Sequence, residues 1–180
     1  MSRIGKKPIE IPHNISAEIK AGRVKVKGPK GELGWNYPDR IKVSVNGGII
    51  LVERLGDSKA ERALHGLTRS IISNMVTGVS QGYQKVLEIV GVGYKAQLLG
   101  NKLVFSLGYS HPIEIQLPEG IKVSVDAKQT QLTLVGIDKE QLGQVAASLK
   151  ALRLPDAYKG KGIRYSGEKI KLKVGKAGKK

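Results

Sequence analysis

The segment Pro38-Asp39-Arg40-Ile41-Lys42-Val43-Ser44-Val45-Asn46 recurs 80 residues later as Pro118-Glu119-Gly120-Ile121-Lys122-Val123-Ser124-Val125-Asp126, with Ile-Lys-Val-Ser-Val identical. An internal repeat constrains the fold more than any local propensity, because each copy must build the same unit. Both copies continue through a turn into a second apolar strand, Ile49 to Val52 and Leu132 to Val135, and then into a helical pattern. In the strands, apolar residues alternate with period two, as in Val24 and Val26 or Ile121, Val123 and Val125.

The first helix opens at Ser58-Lys59-Ala60-Glu61, a capping box in which hydroxyl and carboxylate satisfy free backbone N–H groups. Ala60, Leu64, Leu67, Ile71 and Met75 then step by helical spacing, and this predicts the buried face. The second helix opens at Asp138-Lys139-Glu140-Gln141 and is expected to bury Leu142, Val145, Leu149 and Leu152. Strands with one apolar face need a cover, so the predicted class is α+β: two tandem homologous small domains, each an antiparallel or mixed sheet covered by one main helix. The boundary is expected near Gly78-Val79-Ser80-Gln81-Gly82, giving domains 1–81 and 82–180.

The chain contains no Cys, so disulfides, thiolate metal sites and a cysteine nucleophile are excluded. With only 3 His, an imidazole-rich metal site is not expected, and no metal or cofactor is predicted. No apolar run reaches membrane-helix length, and the first residues lack the apolar core of a secretory signal. A soluble, intracellular chain without membrane partners is the expectation.

Two enzyme-like motifs fail on context. Gly78-Val79-Ser80-Gln81-Gly82 fits G-x-S-x-G, but a nucleophile elbow needs a strand before the Ser and a helix after it. Here the order is reversed, and no Asp-then-His pair follows. Gly91-Val92-Gly93-Tyr94-Lys95-Ala96 fits the dinucleotide fingerprint, which needs a following helix to receive the pyrophosphate. The Gly100-Asn101 turn and the alternating run Leu103 to Leu107 leave no room for one. His13, His65 and His111 share no usable spacing, and no catalytic residues are assigned.

Charge is the strongest functional signal. Lys and Arg number 31 against 15 acidic residues, a net of +16, and a polyanionic partner is the ordinary reason for such an excess. Residues 1–30 carry 8 basic and 2 acidic residues, including Arg3, Lys6 and Lys7, and residues 150–180 carry 11 and 2. The intervening body is nearly neutral. In the C-terminal cluster, Lys150 and Arg153 end the helix before Pro155, and Lys159, Lys161 and Arg164 follow as expected phosphate contacts. Gly160 and Gly162 are expected to let the backbone approach a partner, and Tyr158 and Tyr165 to stack on a base or lie along a sugar. Lys169 to Val174 alternates, so Ile170, Leu172 and Val174 are expected to dock into the sheet. Lys169, Lys171 and Lys173 would then line the opposite face, with Lys176 beyond.

The run Pro155-Asp156-Ala157-Tyr158-Lys159-Gly160-Lys161-Gly162-Ile163-Arg164-Tyr165 resembles the full signature of the large-subunit ribosomal protein six family, in its bacterial type, which includes organellar relatives. Similar stretches are Met1-Ser2-Arg3-Ile4-Gly5-Lys6, Lys27-Gly28-Pro29-Lys30-Gly31-Glu32-Leu33 and Leu64-His65-Gly66-Leu67-Thr68-Arg69. Gly91-Val92-Gly93-Tyr94, Gly108-Tyr109-Ser110-His111-Pro112 and Gly143-Gln144-Val145-Ala146-Ala147 complete the family's order. Leu154 departs from the pattern, standing where many members carry a second basic residue, and no family pattern surrounds Trp35.

The resemblance implies two homologous α+β domains in a non-catalytic protein of the cytoplasmic or organellar ribosome. It implies binding to large-subunit rRNA, chiefly through the C-terminal domain, near the sarcin–ricin loop and the stalk base. Neighbouring large-subunit proteins and translational GTPases would lie close by. A free-standing nucleic-acid regulator is the alternative from another class, but the second helix offers only Lys139, Lys150 and Arg153, beside acidic Glu140, as a recognition face. An enzyme acting on nucleic acid would need carboxylates or a His cluster that the chain lacks.

Overall fold

A computed structural model describes residues 3–20 and 22–175. The chain separates into two compact units: the first runs to Tyr83 and includes Ile137–Lys139, and the second takes Gln84–Gly136 and the residues from Glu140 onward.

The first half of the chain forms β1 (Ile9–Glu10), β2 (Ser16–Lys20), β3 (Arg23–Gly28), β4 (Gly31–Asn36), β5 (Ile41–Asn46), β6 (Ile49–Arg54) and α1 (Lys59–Ser80). The second half repeats the plan with β7 (Tyr83–Val90), β8 (Lys95–Leu99), β9 (Lys102–Ser106), β10 (Ile113–Gln116), β11 (Ile121–Val125), β12 (Gln131–Gly136) and α2 (Lys139–Ala151), and adds β13 (Gly162–Tyr165). Each half carries two small sheets, where one had been expected. One is an antiparallel meander, β2-β3-β4 or β8-β9-β10. The other is β1-β6-β5 in the first half and β11-β12-β7-β13 in the second.

The repeated Ile-Lys-Val-Ser-Val segments occupy equivalent places. Each is an edge strand pairing antiparallel with the next strand, in the registers Val43↔Val52 and Val123↔Leu134. That partner strand lies in both cases beside the opening strand of its half, β1 or β7. The class is α+β and the topology is duplicated, with β13 as the addition.

Helix α1 starts as its sequence dictates. Glu61 N–H donates to Ser58 Oγ at 3.2 Å, and Ser58 N–H donates to Glu61 Oε2 at 3.0 Å. The Ser58 hydroxyl and then the Ser58 backbone N–H, both beside the Glu61 carboxyl, hold it below its ordinary range. Its buried face differs from the apolar stripe read from the sequence. His65, Thr68, Ile72, Met75, Val76, Gly78 and Val79 face inward, while Ala60 and Leu67 lie outside, Leu67 being 52 % exposed. The reason is that a small or hydrogen-bonded polar residue packs as well as an aliphatic one. His65 Nε2 lies 2.8 Å from Val52 O, which can only accept, so Nε2 carries the proton and Nδ1 accepts from Arg54 at 3.2 Å. The N-terminal segment is laid across this helix. A Cβ on Gly5 would fall 2.6 Å from the His65 ring, and Arg69 donates to Lys7 O and Pro8 O.

Trp35, opposite Val24 on β4, packs half-buried against the core of the first unit. In the second unit Leu87, Leu103, Phe105, Leu132, Leu134, Leu142, Leu149 and Ile163 are fully enclosed. Helix α2 buries Leu142, Ala146 and Leu149, with Val145 and Leu152 at the margin. Ser80, the centre of the G-x-S-x-G motif, is the last residue of α1, and its hydroxyl donates back to Thr77 O. The Gly91–Ala96 stretch leads into strand β8, so neither motif has the context that its chemistry needs.

Candidate nucleic-acid interface

Pro155 follows the end of α2, and the chain then closes a tight turn. Asp156 N–H donates to Lys161 O at 2.9 Å, and Gly160 N–H returns to Asp156 O at 3.0 Å. Inside the turn the Asp156 carboxylate accepts from the backbone N–H groups of Lys159 (2.8 Å) and Tyr158 (3.2 Å). These bonds, that of Lys159 foremost, hold the Asp156 carboxyl below its ordinary range. The turn is therefore braced from within, and it carries Tyr158, Lys159 and Lys161 on a fixed frame. Tyr158 is 58 % exposed.

Beyond the turn the chain becomes a strand. Gly162–Tyr165 forms β13 against β7, with Ile163 opposite Ile89 and Arg164 opposite Glu88. Gly160 and Gly162 serve the protein itself here. A Cβ on Gly162 would sit 2.6 Å from Leu154 O and 2.8 Å from Arg153 O, so the close approach is internal to the unit. Cross-strand placement also gives Arg164 a partner: its guanidinium pairs with Glu88 at 3.0 Å, and Ser166 Oγ donates to the same carboxylate at 2.8 Å.

Lys150 is engaged in the same way. Its ammonium pairs with Glu168 at 2.6 Å, and Glu168 accepts from Tyr165 N–H at 3.0 Å. The Lys150 bond is the main reason that the Glu168 carboxyl lies below its ordinary range. The Tyr165 ring is not a free stacking platform, since Lys150 and Lys85 place their ammonium groups 4.8 and 5.1 Å from its centre.

Lys169, Lys171 and Lys173 are exposed, but the segment is not the docked strand expected from its alternation. Ile170 is half-buried, Leu172 is 55 % and Val174 81 % exposed, and no ladder forms. One backbone bond, Lys173 N–H to Ala157 O at 2.7 Å, ties this segment to the turn. Among the described residues, Lys159, Lys161, Lys169, Lys171 and Lys173 form no ion pair. Arg3, Lys6 and Lys7 are exposed on the first unit, and Lys176 lies outside the described residues.

Arg153 has a setting that the sequence did not foretell. Its guanidinium carbon lies 4.8 Å from the centre of the Tyr109 ring and 5.8 Å from that of Tyr94. Tyr109 Oη donates to Leu152 O at 3.0 Å, and the Tyr109 side chain, with Tyr94 beside it, pushes the guanidinium above its ordinary value. Three sequence stretches, Gly91–Tyr94, Gly108–Tyr109 and the end of α2, meet at this cluster.

Among the described residues, no group of His, Asp and Glu is placed to hold a metal ion, and no helix is long and apolar enough to cross a membrane. What the surface offers is fixed positive charge with an exposed aromatic ring.

A family model described as Ribosomal protein L6 matches residues 11–82 and 90–166. Among curated proteins, the "Large ribosomal subunit protein uL6" of Thermodesulfovibrio yellowstonii is 58 % identical over 180 residues, covering 100 % of both chains. Those of Koribacter versatilis and a Picosynechococcus species are 53 % and 51 % identical, each again covering 100 % of both chains. With the family model matching in two successive segments that follow the duplicated topology, the chain belongs to the ribosomal protein L6 family.

Proposed function

We propose that this chain anchors to large-subunit rRNA through its second unit, by the lysines of the 156–161 turn and the adjoining 169–173 segment. As a member of its family the chain is a structural constituent of the large subunit of the cytoplasmic ribosome, with rRNA and ribosomal proteins as partners and no catalytic activity. The finer reading puts the contact near the sarcin–ricin loop and the stalk base, close to where translational GTPases act. Arg3, Lys6 and Lys7 would add a second, smaller contact from the first unit.

One observation carries the reading: among the described residues, the lysines of the turn braced by Asp156 and of the segment tied to it form no ion pair, while the neighbouring Lys150 and Arg164 are neutralised internally. An uncompensated cation releases counterions when it meets a phosphate, and a cation already paired does so far less.

The test is the salt dependence of binding to large-subunit rRNA. Lys159→Gln with Lys161→Gln should flatten the log–log slope by about 1.5 units, the share of two phosphates. Arg164→Gln should leave the slope nearly unchanged, and so should a Lys42→Gln, Lys59→Gln double variant in the first unit. Equal slope losses from all three would place the RNA surface elsewhere. Co-sedimentation of each variant with large subunits provides the assembly readout.

A further inference from the structure

Arg153 differs from the other basic side chains around it in how it is held. Arg164 and Lys150 are fixed by carboxylates and lose their net charge in the bargain. Lys159 and Lys173 keep their charge on long, rotatable stems. Arg153 forms no ion pair among the described residues, yet its guanidinium is held against two rings. Its backbone is fixed as well, since Ile163 N–H donates to Arg153 O at 2.8 Å and Gly162 packs against that carbonyl.

The rings are themselves built into place. A Cβ on Gly91 would fall 2.4 Å from the Tyr94 ring, which explains why glycine opens the Gly-Val-Gly-Tyr motif that no cofactor claims. Tyr109 is turned by its bond to Leu152 O, one residue before Arg153.

We propose that Tyr94 and Tyr109 are positioning residues that hold Arg153 as a preformed, uncompensated guanidinium fork for an rRNA phosphate. The inference rests on the rRNA reading above and adds a specific receptor to it. A planar guanidinium can give two parallel N–H bonds to phosphate oxygens, and a side chain ordered beforehand forfeits little entropy when it does so. The ring contacts leave the guanidinium N–H donors for the ligand.

Charge and positioning have separable signatures in a salt series on the full-length chain with transcribed large-subunit rRNA. Charge sets the slope, and positioning sets affinity at fixed slope. Arg153→Gln should flatten the slope by roughly 0.7–0.9 units, the share of one phosphate. Tyr109→Phe keeps the ring and removes the oxygen, and should weaken binding about threefold to tenfold with the slope unchanged, the equivalent of one hydrogen bond. Arg153→Lys keeps the charge and both tyrosines, and should show the same pattern. It also serves should Tyr109→Phe disturb the fold, which thermal unfolding would reveal.

If Arg153→Gln leaves the slope intact, or Arg153→Lys binds like the parent, the fork does not exist as described. Should that happen while Lys159→Gln with Lys161→Gln still flattens the slope, only this inference falls. If none of these variants moves the slope, the rRNA reading falls with it.

Discussion

Gly162→Ala should be among the most damaging single-methyl additions available in the second unit. The native φ of +146° lies where side-chain-bearing residues rarely go, at roughly 1–3 kcal/mol for such backbone strain. The added Cβ would also meet Leu154 O at 2.6 Å and Arg153 O at 2.8 Å. Both are backbone atoms at the end of α2, so no side chain can swing aside to relieve the clash. Separation of the two segments would stretch the 2.8 Å bond from Ile163 N–H to Arg153 O, adding about 1 kcal/mol. The sum is about 2–4 kcal/mol, a large part of a typical domain's stability. Gly167→Ala is the control: its φ of +78° is also unfavourable, but a Cβ there meets nothing within 4 Å, so about 1 kcal/mol is expected. Urea unfolding of the full chain measures both, with the single Trp35 reporting on the first unit and hydrogen exchange at Leu87 and Ile163 on the second. A loss below about 1 kcal/mol for Gly162→Ala, or one no larger than for Gly167→Ala, would refute the clash argument.

Two further outcomes are expected. Thr68 is fully buried on α1 and its hydroxyl has no partner among the described residues, whereas Ser70 and Thr77 bond back to the carbonyls of Gly66 and Ser73. Thr68→Val should therefore raise stability by about 1 kcal/mol in thermal unfolding, and a clear destabilisation would mean that the hydroxyl is satisfied in solution. The Asp156 carboxyl lies below its ordinary value, so its bracing of the turn is complete above the unfolded value and is lost as pH falls through the folded one. The amide resonances of Tyr158 and Lys159 should shift together with a midpoint below the ordinary aspartate range, and a midpoint at or above that range would remove the proposed brace.

The repeat, the capping box and the strand alternation were legible because each is a local pattern whose physics acts within a few residues. The failure of both enzyme-like motifs was legible for the same reason, as element order follows from local periodicity. The buried face of α1 was legible only in part: Met75 is buried and Leu64 and Ile71 pack against the core, but aliphatic spacing does not announce His65 or Thr68. His65 is buried only because Val52 O and Arg54 satisfy its ring, and both partners lie on the preceding strand and its end. The pairing of Arg164 with Glu88 spans 76 residues, and nothing near either residue announces it.

These long-range pairs change what the net charge means. Counting basic residues at the C-terminal end treats every Lys and Arg as equally available to a polyanion, but availability depends on backbone context. A strand places each side chain opposite a cross-strand neighbour, so Arg164 on β13 meets Glu88 on β7 at 3.0 Å. A turn has no facing strand, so among the described residues Lys159 and Lys161 form no ion pair, and the one acid within the turn, Asp156, spends its oxygens on backbone N–H groups. Arg153 is a third case, ordered by tyrosines that do not cancel its charge. One short stretch thus divides its cations by secondary structure: strand residue Arg164 is paired and braces the unit, while the turn lysines and the Tyr-held arginine form no ion pair among the described residues.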